Sequence, residues 1–243
     1  MISIIIPLFN EGENILLYNT DLFPLIDAIS KKFEEDVEYI FVDDGSSDDT
    51  ATLLSNVRQG RNDVVFIRHP VNRGMGAALK SGFSQSRGDV IITMDADLTF
   101  RPSDVEKLLL AFREGRPDCV SGSPYLEKDL MEEVTPFRLL LSKSVNFLYK
   151  IILASDISCV SPIFRLYRRD TLLTMNISSN NFEINAEIIS KMIIQGEKIV
   201  EVAVPLYKRR HGSSKINVRK EIANYLKLLY KIARTKYLHK EWM

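Results

Sequence analysis

The chain has 243 residues, of which 45% are hydrophobic and 26% charged, so its length and composition fit one large globular domain and exclude intrinsic disorder. Lys and Arg number 32, as do Asp and Glu, and without a nucleic-acid-binding motif no nucleic-acid partner is expected. No apolar stretch reaches the roughly 18 residues of a membrane-spanning helix, and residues 1–7 are not expected to act as a signal peptide. Cys119 and Cys159 stand in apolar surroundings, which predicts buried free thiols.

Basic residues are concentrated near the C-terminal end. Residues 205–243 include eleven Lys or Arg and two Glu, so the rest of the chain carries a compensating acidic excess. A basic segment on an acidic body predicts an anionic partner, such as a membrane surface or phosphate groups.

The first half of the chain alternates short β-branched runs with longer amphipathic segments. The pattern predicts strands at 2–7, 37–42, 64–68 and 90–94, and helices at about 13–34, 49–59, 76–86 and 103–114. Ser103 and Glu106 have the spacing of a capping box at the start of the last helix. Strands that alternate with helices form a parallel sheet covered on both faces, and ligands bind at the carboxyl ends of its strands.

The second half departs from strict alternation. Its pattern predicts a helix at 136–153, a strand at 164–167, a helix at 182–194, a strand at 199–204 and a terminal helix at about 219–240. In the terminal helix the apolar residues recur at helical spacing, as Ile222, Tyr225, Leu226, Leu229, Ile232 and Ala233. Because the other face is basic, this helix is expected either at an anionic membrane surface or packed on the body or a dimer partner.

Asp95 and Asp97 directly follow the fourth predicted strand. Residues i and i+2 of a strand point the same way, so these two carboxylates can share one divalent cation. Mg²⁺ and Mn²⁺ favour oxygen ligands, and Mg²⁺ usually binds one or two carboxylates together with phosphate oxygens. The motif predicts a metal and diphosphate site, although a solvated turn could have the same spacing.

Polar clusters also follow the first two predicted strands, at 10–14 and 43–48. Asp43 and Asp44 could accept hydrogen bonds from a base or ribose, whereas Gly45 and the serines after it could equally form a turn and a helix cap. Three polar clusters on one edge of one sheet indicate a shared binding site.

Two loops and one helix face complete the candidates. Segment 72–80, with two glycines that enter a helix, either approaches a ligand or packs closely on the sheet. Segment 209–215 is either a phosphate-binding loop or a solvated basic turn. Arg138, Ser142 and Asn146 recur every four residues, so they share one face of their helix, as a binding surface or as an ordinary amphipathic face.

In this order and spacing, the motifs resemble those of the inverting GT-A glycosyltransferases of family 2, and most closely the dolichol-phosphate mannose synthase branch of polyprenyl-phosphate sugar transferases. The nucleotide-sugar half is matched at 7–14, 42–50, 72–83 and 94–98, and the acceptor half at Arg138, Ser142, Asn146, Phe164, Arg165 and the 209–215 loop. The resemblance implies an α/β GT-A (Rossmann-like) domain with a mostly parallel sheet over residues 1–216, divided near residue 120. A basic amphipathic helix at 217–243 would follow it.

The resemblance also implies roles for individual residues. Catalytic roles fall to Asp97, Arg138, Arg209 and Lys215, and Mg²⁺ or Mn²⁺ would be bound by Asp95 and Asp97. Donor or acceptor binding falls to a larger group, namely Pro7, Phe9, Asn10, Glu11, Asp43, Asp44, Arg73, Gly76, Lys80, Asp95, Ala96, Ser142, Arg165 and Arg210. The chain departs from the branch at Thr99, where Gln is usual, at Pro124, where Arg is common, and at 161–163, where Thr-Ser-Gly is usual.

The implied reaction moves a hexose from a nucleotide sugar of the GDP-mannose or UDP-glucose type to a polyprenyl or dolichyl phosphate. A phosphate nucleophile needs no general base, whereas a sugar hydroxyl does, and Glu183 and Glu187 are the nearby candidates for one. The alternatives are a hydroxyl-directed family 2 enzyme, a non-catalytic nucleotide-sugar-binding relative and, less favoured, a nucleotidyltransferase. The expected location is the cytoplasm, peripheral at the cytoplasmic face of a membrane, with a homodimer or a membrane partner protein left open.

Overall fold

The computed structural model describes residues 1–131, 136–212 and 218–238. In this part of the chain, seven strands form one mixed sheet. They are β1 (Ile2–Leu8), β2 (Val37–Asp43), β3 (Val64–Arg68), β4 (Val90–Thr93), β5 (Cys119–Ser123), β6 (Arg165–Arg168) and β7 (Ile199–Ala203). Their order is β3-β2-β1-β4-β6-β5-β7. Only β6 runs antiparallel to its neighbours β4 and β5, so the prediction of a mostly parallel sheet is confirmed.

Helices cover both faces of the sheet. They are α1 (Gly12–Ile15), α2 (Phe23–Phe33), α3 (Thr50–Gly60), α4 (Met75–Gln85), α5 (Val105–Gly115), α6 (Pro136–Leu153), α7 (Arg169–Leu173), α8 (Ile184–Gln195) and α9 (Val218–Leu238). Side chains of β1 alternate between two cores because successive residues of a strand point to opposite faces. Ile4 and Ile6 pack with α2, α3 and α5 in the first core, and Ile5 packs with α4, α6, α8 and α9 in the second.

Two local predictions were wrong, and one strand was missed. The expected helix at 13–34 is broken into α1, a π-helical turn at Tyr18–Leu22 and α2. Ser103 does not cap α5; it lies in a 3-10 turn, and no side chain caps that helix. Strand β5 was missed because it is rich in serine and glycine. Its Gly122 is required by close packing, since a Cβ atom there would lie 2.7 Å from Phe164.

The terminal helix α9 packs on the body of the protein. Leu228, Leu229 and Ile232 are buried in the second core, and the Tyr149 hydroxyl of α6 donates to the Tyr225 carbonyl at 3.0 Å. Of the alternatives for this helix, packing on the body therefore applies to the face that contains Leu229 and Ile232. The boundary between the predicted GT-A domain and this helix, at residue 216, stays a prediction.

Both cysteines are buried and free, as predicted. Among the described residues, no helix has the length and hydropathy needed to cross a bilayer.

The carboxyl ends of β1, β2 and β4 lie side by side. Leu8 of β1 is paired with Asp43 of β2, and Ile5 of β1 with Thr93 of β4. The loops that begin at Phe9, Asp44 and Met94 therefore start from one edge of the sheet, which brings the three polar clusters together as the sequence predicted.

Candidate active site

A cavity of about 630 Å³ opens at this edge of the sheet. Loops after β1, β2 and β4 line it, together with the segments that precede α8 and begin α9. The polar side chains of the lining are Glu11, Asp44, Asn72, Asp95, Asp97, Thr99, Ser161, Asn181, Asn185, Arg209, Lys220 and Glu221. Pro7, Phe9 and Ala96 also line it, so many of the predicted site residues share one cavity.

Asp95 and Asp97 form a buried carboxyl pair in this cavity. Burial raises the pKa of Asp95 well above its usual range, and the negative charge of Asp97 raises it further. Burial also opposes ionisation of Asp97, but its interaction with Asp95 and the charge of Arg209 outweigh burial and lower its pKa. The opposite shifts follow from the close approach of the two carboxyls, since ionisation of one opposes ionisation of the other.

Thr99 holds the Asp95 side chain in place. Its backbone N–H and its hydroxyl both donate to Oδ2 of Asp95, each at 2.6 Å. The residue that departs from the family pattern is therefore a positioning residue for the first carboxylate. Tyr18 stabilises the same loop, because its buried hydroxyl donates to the Ala96 carbonyl at 3.0 Å. Sequence reasoning missed Tyr18, which lies almost 80 positions before Ala96 and within a segment expected to be one regular helix.

The acidic pair fits a divalent cation. Oδ1 of Asp95 is buried, and no hydrogen-bond donor of the described residues reaches it. A buried carboxylate oxygen without a protein partner is costly unless a ligand satisfies it. Among the described residues, no group of three or more His, Cys, Asp or Glu side chains could enclose a metal. Two carboxylates suit Mg²⁺ or Mn²⁺ that also binds phosphate oxygens.

Arg209 connects two of the polar clusters. Its Nε donates to Oδ2 of Asp97 at 2.5 Å, and its NH1 lies 3.4 Å from Oε1 of Glu11. The next residue, Arg210, forms an ion pair with Asp21 in the π-helical turn. Two arginines thus hold the start of the 209–215 loop, and Arg209 puts a positive charge beside the acidic pair. Lys215 lies outside the described residues.

Hydrogen bonds fix the loop after β1 on the loop after β2. The Asn10 amide donates to the Ser46 hydroxyl at 2.8 Å, and the Asn10 side-chain oxygen accepts from the Ser47 amide at 2.7 Å. The Glu11 amide donates to the Thr50 hydroxyl at 2.8 Å. Asn10 therefore stabilises the wall of the cavity without lining it, whereas Glu11 also lines the cavity.

Asp44 lines the cavity, but its carboxylate is occupied by the protein. Oδ2 accepts from the Gly74 amide at 2.7 Å, and Oδ1 accepts from the Arg73 amide at 3.0 Å and lies 2.6 Å from Nδ1 of His69. This carboxylate ties the glycine loop to the end of β2. Sequence reasoning missed His69, whose only signal was its place just after β3. Asp43 is fully buried and accepts from the Ser46 amide at 2.9 Å, outside the cavity lining.

The loop and helix at 72–80 mainly pack against another loop. A Cβ atom at Gly76 would lie 2.7 Å from the backbone of Asn180, and the Gly76 amide donates to the Asn180 carbonyl at 2.8 Å. The Lys80 ammonium donates to the Asn180 side chain at 2.7 Å. Of this segment, Asn72, Gly74, Met75 and Ala78 line the cavity, while Gly76, Lys80 and the exposed Arg73 do not.

The predicted acceptor-half residues are mostly engaged elsewhere. Arg165 is completely buried, and its guanidinium donates to the Ser121 hydroxyl and to the carbonyls of Asn185 and Val160, which makes it a core residue away from the lining. Ser142 accepts from the Tyr125 hydroxyl at 2.7 Å, again outside the lining. The side chain of Arg138 lies outside the described residues.

Neither predicted base lines the cavity. Glu187 is fully buried and accepts from the amides of Ser178 and Ser179 at 3.0 and 2.7 Å, with the Lys191 ammonium also at 3.0 Å. Burial opposes ionisation, but these donors outweigh it and lower the pKa of Glu187. A carboxylate with its oxygens occupied and a lowered pKa is a poor general base.

The sequence model described as Glycosyl transferase family 2 matches residues 3–174. The dolichol-phosphate mannosyltransferase of Pyrococcus furiosus is 30% identical over 96% of this chain and 64% of its own length. The polyprenol monophosphomannose synthase of Mycolicibacterium smegmatis is 30% identical over 95% of this chain and 84% of its own length.

A third relative, the undecaprenyl-phosphate 4-deoxy-4-formamido-L-arabinose transferase of Photorhabdus laumondii, is 30% identical over 91% of this chain and 64% of its own length. The chain thus spans less than two thirds of the Pyrococcus and Photorhabdus relatives.

Solved structures of glucosyl-3-phosphoglycerate synthase from Mycobacterium tuberculosis have the same fold. The complex with Mn²⁺, UDP and glucosyl-3-phosphoglycerate has a TM-score of 0.68 at 18% identity, over 97% of this chain and 79% of that one. The complex with Mg²⁺ and UDP has a TM-score of 0.69 at 17% identity, over 97% and 78%. The expected GT-A-like fold is confirmed.

Proposed function

The chain belongs to glycosyl transferase family 2 and is a glycosyltransferase, and from that premise we propose that it transfers a hexose to a polyprenyl or dolichyl phosphate. The donor would be a nucleotide sugar of the GDP-mannose or UDP-glucose type, and the reaction would invert the anomeric centre. The names of three relatives, which refer to dolichol phosphate, polyprenol monophosphomannose and undecaprenyl phosphate, support this acceptor class.

The observation that carries the proposal is the pair Asp95 and Asp97 at the edge of the sheet, where Oδ1 of Asp95 is buried and accepts from no donor of the described residues. Mg²⁺ or Mn²⁺ held there would neutralise the charge that develops on the departing diphosphate. Thr99 keeps Asp95 oriented, and Arg209, once released from Asp97, supplies a further positive charge beside the leaving group. We assign the base and ribose to the wall formed by Pro7, Phe9 and Glu11.

In the proposed reaction, an oxygen of the acceptor phosphate attacks the anomeric carbon while the bond from that carbon to the nucleoside diphosphate breaks. The phosphate monoester is already ionised near neutral pH, so no protein group has to remove a proton. The engagement of Glu187 with Ser178, Ser179 and Lys191 supports this acceptor over a sugar hydroxyl, which would need a free base.

One observation supports the hydroxyl-directed alternative. Glu221 of α9 lines the cavity, and its Oε2 is buried without a hydrogen-bond partner among the described residues. Burial and then the charge of Glu183 raise its pKa, which is the direction in which enzymes shift the carboxyls that act as general bases. Dependence of transfer on Glu221 as a base would favour this alternative.

The remaining roles stay proposals. Arg138, Ser142, Arg210 and Lys215 are proposed to bind acceptor or donor phosphates, and residues 1–216 are proposed as the catalytic domain. The proposed location is the cytoplasmic face of a membrane, where a lipid-linked acceptor would be reached by a peripheral protein. A homodimer or a membrane partner protein is compatible with this location.

A transfer assay tests the proposal. Purified protein is mixed with GDP-mannose or UDP-glucose, Mg²⁺ or Mn²⁺, and a short-chain polyprenyl phosphate. We expect nucleoside diphosphate and glycolipid to form together, and both to be lost in Asp97→Ala while the unfolding temperature is retained. Donor binding without transfer would refute a lipid-phosphate acceptor, and failure to bind any donor would favour the non-catalytic relative.

A further inference from the structure

The outer face of α6 is apolar and uncovered. Leu140, Phe147 and Ile151 are 65%, 62% and 56% exposed, and their spacing puts them on one side of the helix. The opposite side of α6 packs on the body through Tyr149 and Leu153. Single exposed apolar residues are ordinary, but three large ones aligned on one helix indicate a surface that binds something.

Helix α9 has a second uncovered apolar stripe. Its core-facing side is used by Leu228, Leu229 and Ile232, as described above. A separate side carries Leu226, Tyr230 and Tyr237, which are 52%, 65% and 59% exposed and recur at intervals of four and seven residues. The sequence suggested one apolar face on this helix, whereas the structure has two, and only one of them packs on the body.

The two uncovered stripes meet. The Tyr237 hydroxyl donates to the Ile152 carbonyl at 3.3 Å, which puts the end of the α9 stripe beside the exposed Ile151 of α6. The Lys236 ammonium donates to the neighbouring Leu153 carbonyl at 2.6 Å. The apolar stripes of two adjacent helices thus lie next to each other at this end, on the side of the sheet that holds the second core.

Basic and aromatic residues border this surface. Lys227, Lys231 and Arg234 lie on the third side of α9, next to the apolar stripe, and the Arg234 guanidinium lies 5.7 Å from the Tyr230 ring centroid. Lys143 of α6 is also exposed beside the Leu140 stripe. Apolar side chains edged by tyrosines and by lysine or arginine suit the boundary between acyl chains and anionic headgroups.

We infer that the outer faces of α6 and α9 together form the docking surface of this protein for an anionic lipid bilayer. The inference rests on the proposed function, because an acceptor anchored in a membrane requires the cavity to be held near the bilayer. The same α9 that carries Tyr230 and Tyr237 supplies Lys220 and Glu221 to the cavity, so docking through α9 would bring the cavity to the membrane surface.

Vesicle binding tests the inference. The full chain, without substrates, is sedimented with phosphatidylcholine vesicles that contain or lack phosphatidylglycerol. We expect binding to the anionic vesicles, weakened by salt, and a drop of at least about tenfold in the partition coefficient of Phe147→Ser/Ile151→Ser and of Leu226→Ser/Tyr230→Ser. Leu110→Ser is the matched control, because Leu110 is 52% exposed on α5, on the opposite side of the sheet.

Three results would overturn the inference. They are no binding of the unchanged protein to anionic vesicles, equal loss of binding in Leu110→Ser, and binding by the double variants at the strength of the unchanged protein. A dimer of the unchanged protein that becomes a monomer in Phe147→Ser/Ile151→Ser, measured by light scattering without vesicles, would assign the surface to a second copy instead.

Transfer to a short-chain polyprenyl phosphate in solution separates this inference from the proposed function. We expect Phe147→Ser/Ile151→Ser to retain that transfer, since neither residue lines the cavity. Vesicle binding without transfer by any variant or by the unchanged protein would refute the proposed function alone. Transfer without vesicle binding would refute the docking surface alone.

Discussion

Arg209 Nε lies 2.5 Å from Asp97 Oδ2, so an internal cation occupies the carboxylate that a metal ion would need. The same guanidinium reaches Glu11 at 3.4 Å. Binding of a metal and a diphosphate at Asp97 therefore requires Arg209 to exchange a carboxylate for a phosphate oxygen. The exchange leaves neither charge unpaired, because the metal ion binds the Asp97 carboxylate and Arg209 binds a phosphate oxygen instead.

Replacing Arg209 should have opposite effects on metal binding and on transfer. Arg209→Met removes the internal competitor, so Mn²⁺ should bind the nucleotide-free protein roughly fivefold more tightly, equivalent to about 1 kcal/mol. Transfer should nevertheless fall, because the charge beside the leaving group is lost. Mn²⁺ titration by electron paramagnetic resonance, together with transfer rates, measures both effects.

Arg210→Met is the control for the Mn²⁺ titration, since Arg210 pairs with Asp21 and not with the acidic pair. Its Mn²⁺ affinity should match that of the unchanged protein. Weaker Mn²⁺ binding in Arg209→Met would mean that Arg209 supports the metal site instead of competing for it.

Thr99 should be required for its hydroxyl and not for its size. In Thr99→Val the hydroxyl hydrogen bond to Asp95 Oδ2 is lost while the shape is kept, so Asp95 loses one of the donors that orient it. Residues that orient metal ligands typically contribute about tenfold or more to metal affinity. Mn²⁺ affinity of Thr99→Val should fall by about that factor, and Thr99→Ser should retain it. Equal affinities for the Val and Ser variants would contradict the role assigned to Thr99.

Much of this site could be predicted from sequence because its signals are local. Asp95 and Asp97 share a strand end, and parallel strands bring three such ends to one edge, so motif and topology together located the cavity. The roles of Asp44 and Gly76 were harder to predict, because both depend on residues distant in sequence. Asp44 contacts His69 and Gly74, and Gly76 packs on Asn180. Arg165 matched a family motif, but the structure places it in the core. Sequence patterns rarely indicate that a single charged residue is buried.

Gly76 should tolerate no side chain, for reasons of packing. In Gly76→Ala the new methyl group would lie within 3 Å of the Asn180 backbone, so the loop before α8 must shift. Overpacking of this kind destabilises by about 1–3 kcal/mol. Gly60→Ala is the matched control, because nothing lies within 4 Å of a Cβ atom at the end of α3. Urea unfolding should show a lower midpoint for the first variant only, and equal midpoints would contradict the packing role.

Glu187 should prove to be structural and not a base. Glu187→Gln keeps the shape and one acceptor oxygen, so transfer should continue at a rate within a few-fold of the unchanged protein, whereas loss of a general base typically costs about 10²–10⁴-fold. Glu187→Ala removes the buried carboxylate that accepts from Ser178, Ser179 and Lys191, and should lower the free energy of unfolding by roughly 3 kcal/mol. Transfer rates and urea unfolding measure the two effects separately.

The pH dependence of stability gives an independent check on Glu187. Its pKa is lowered in the folded protein, so its contribution is complete above the usual pKa of a glutamate and is lost as the pH falls through the lower folded-state value. The stability difference between the unchanged protein and Glu187→Gln should therefore be largest near neutral pH and should shrink in acid. A difference that grows in acid, or a loss of transfer in Glu187→Gln at undiminished stability, would make Glu187 a candidate base and favour a hydroxyl acceptor.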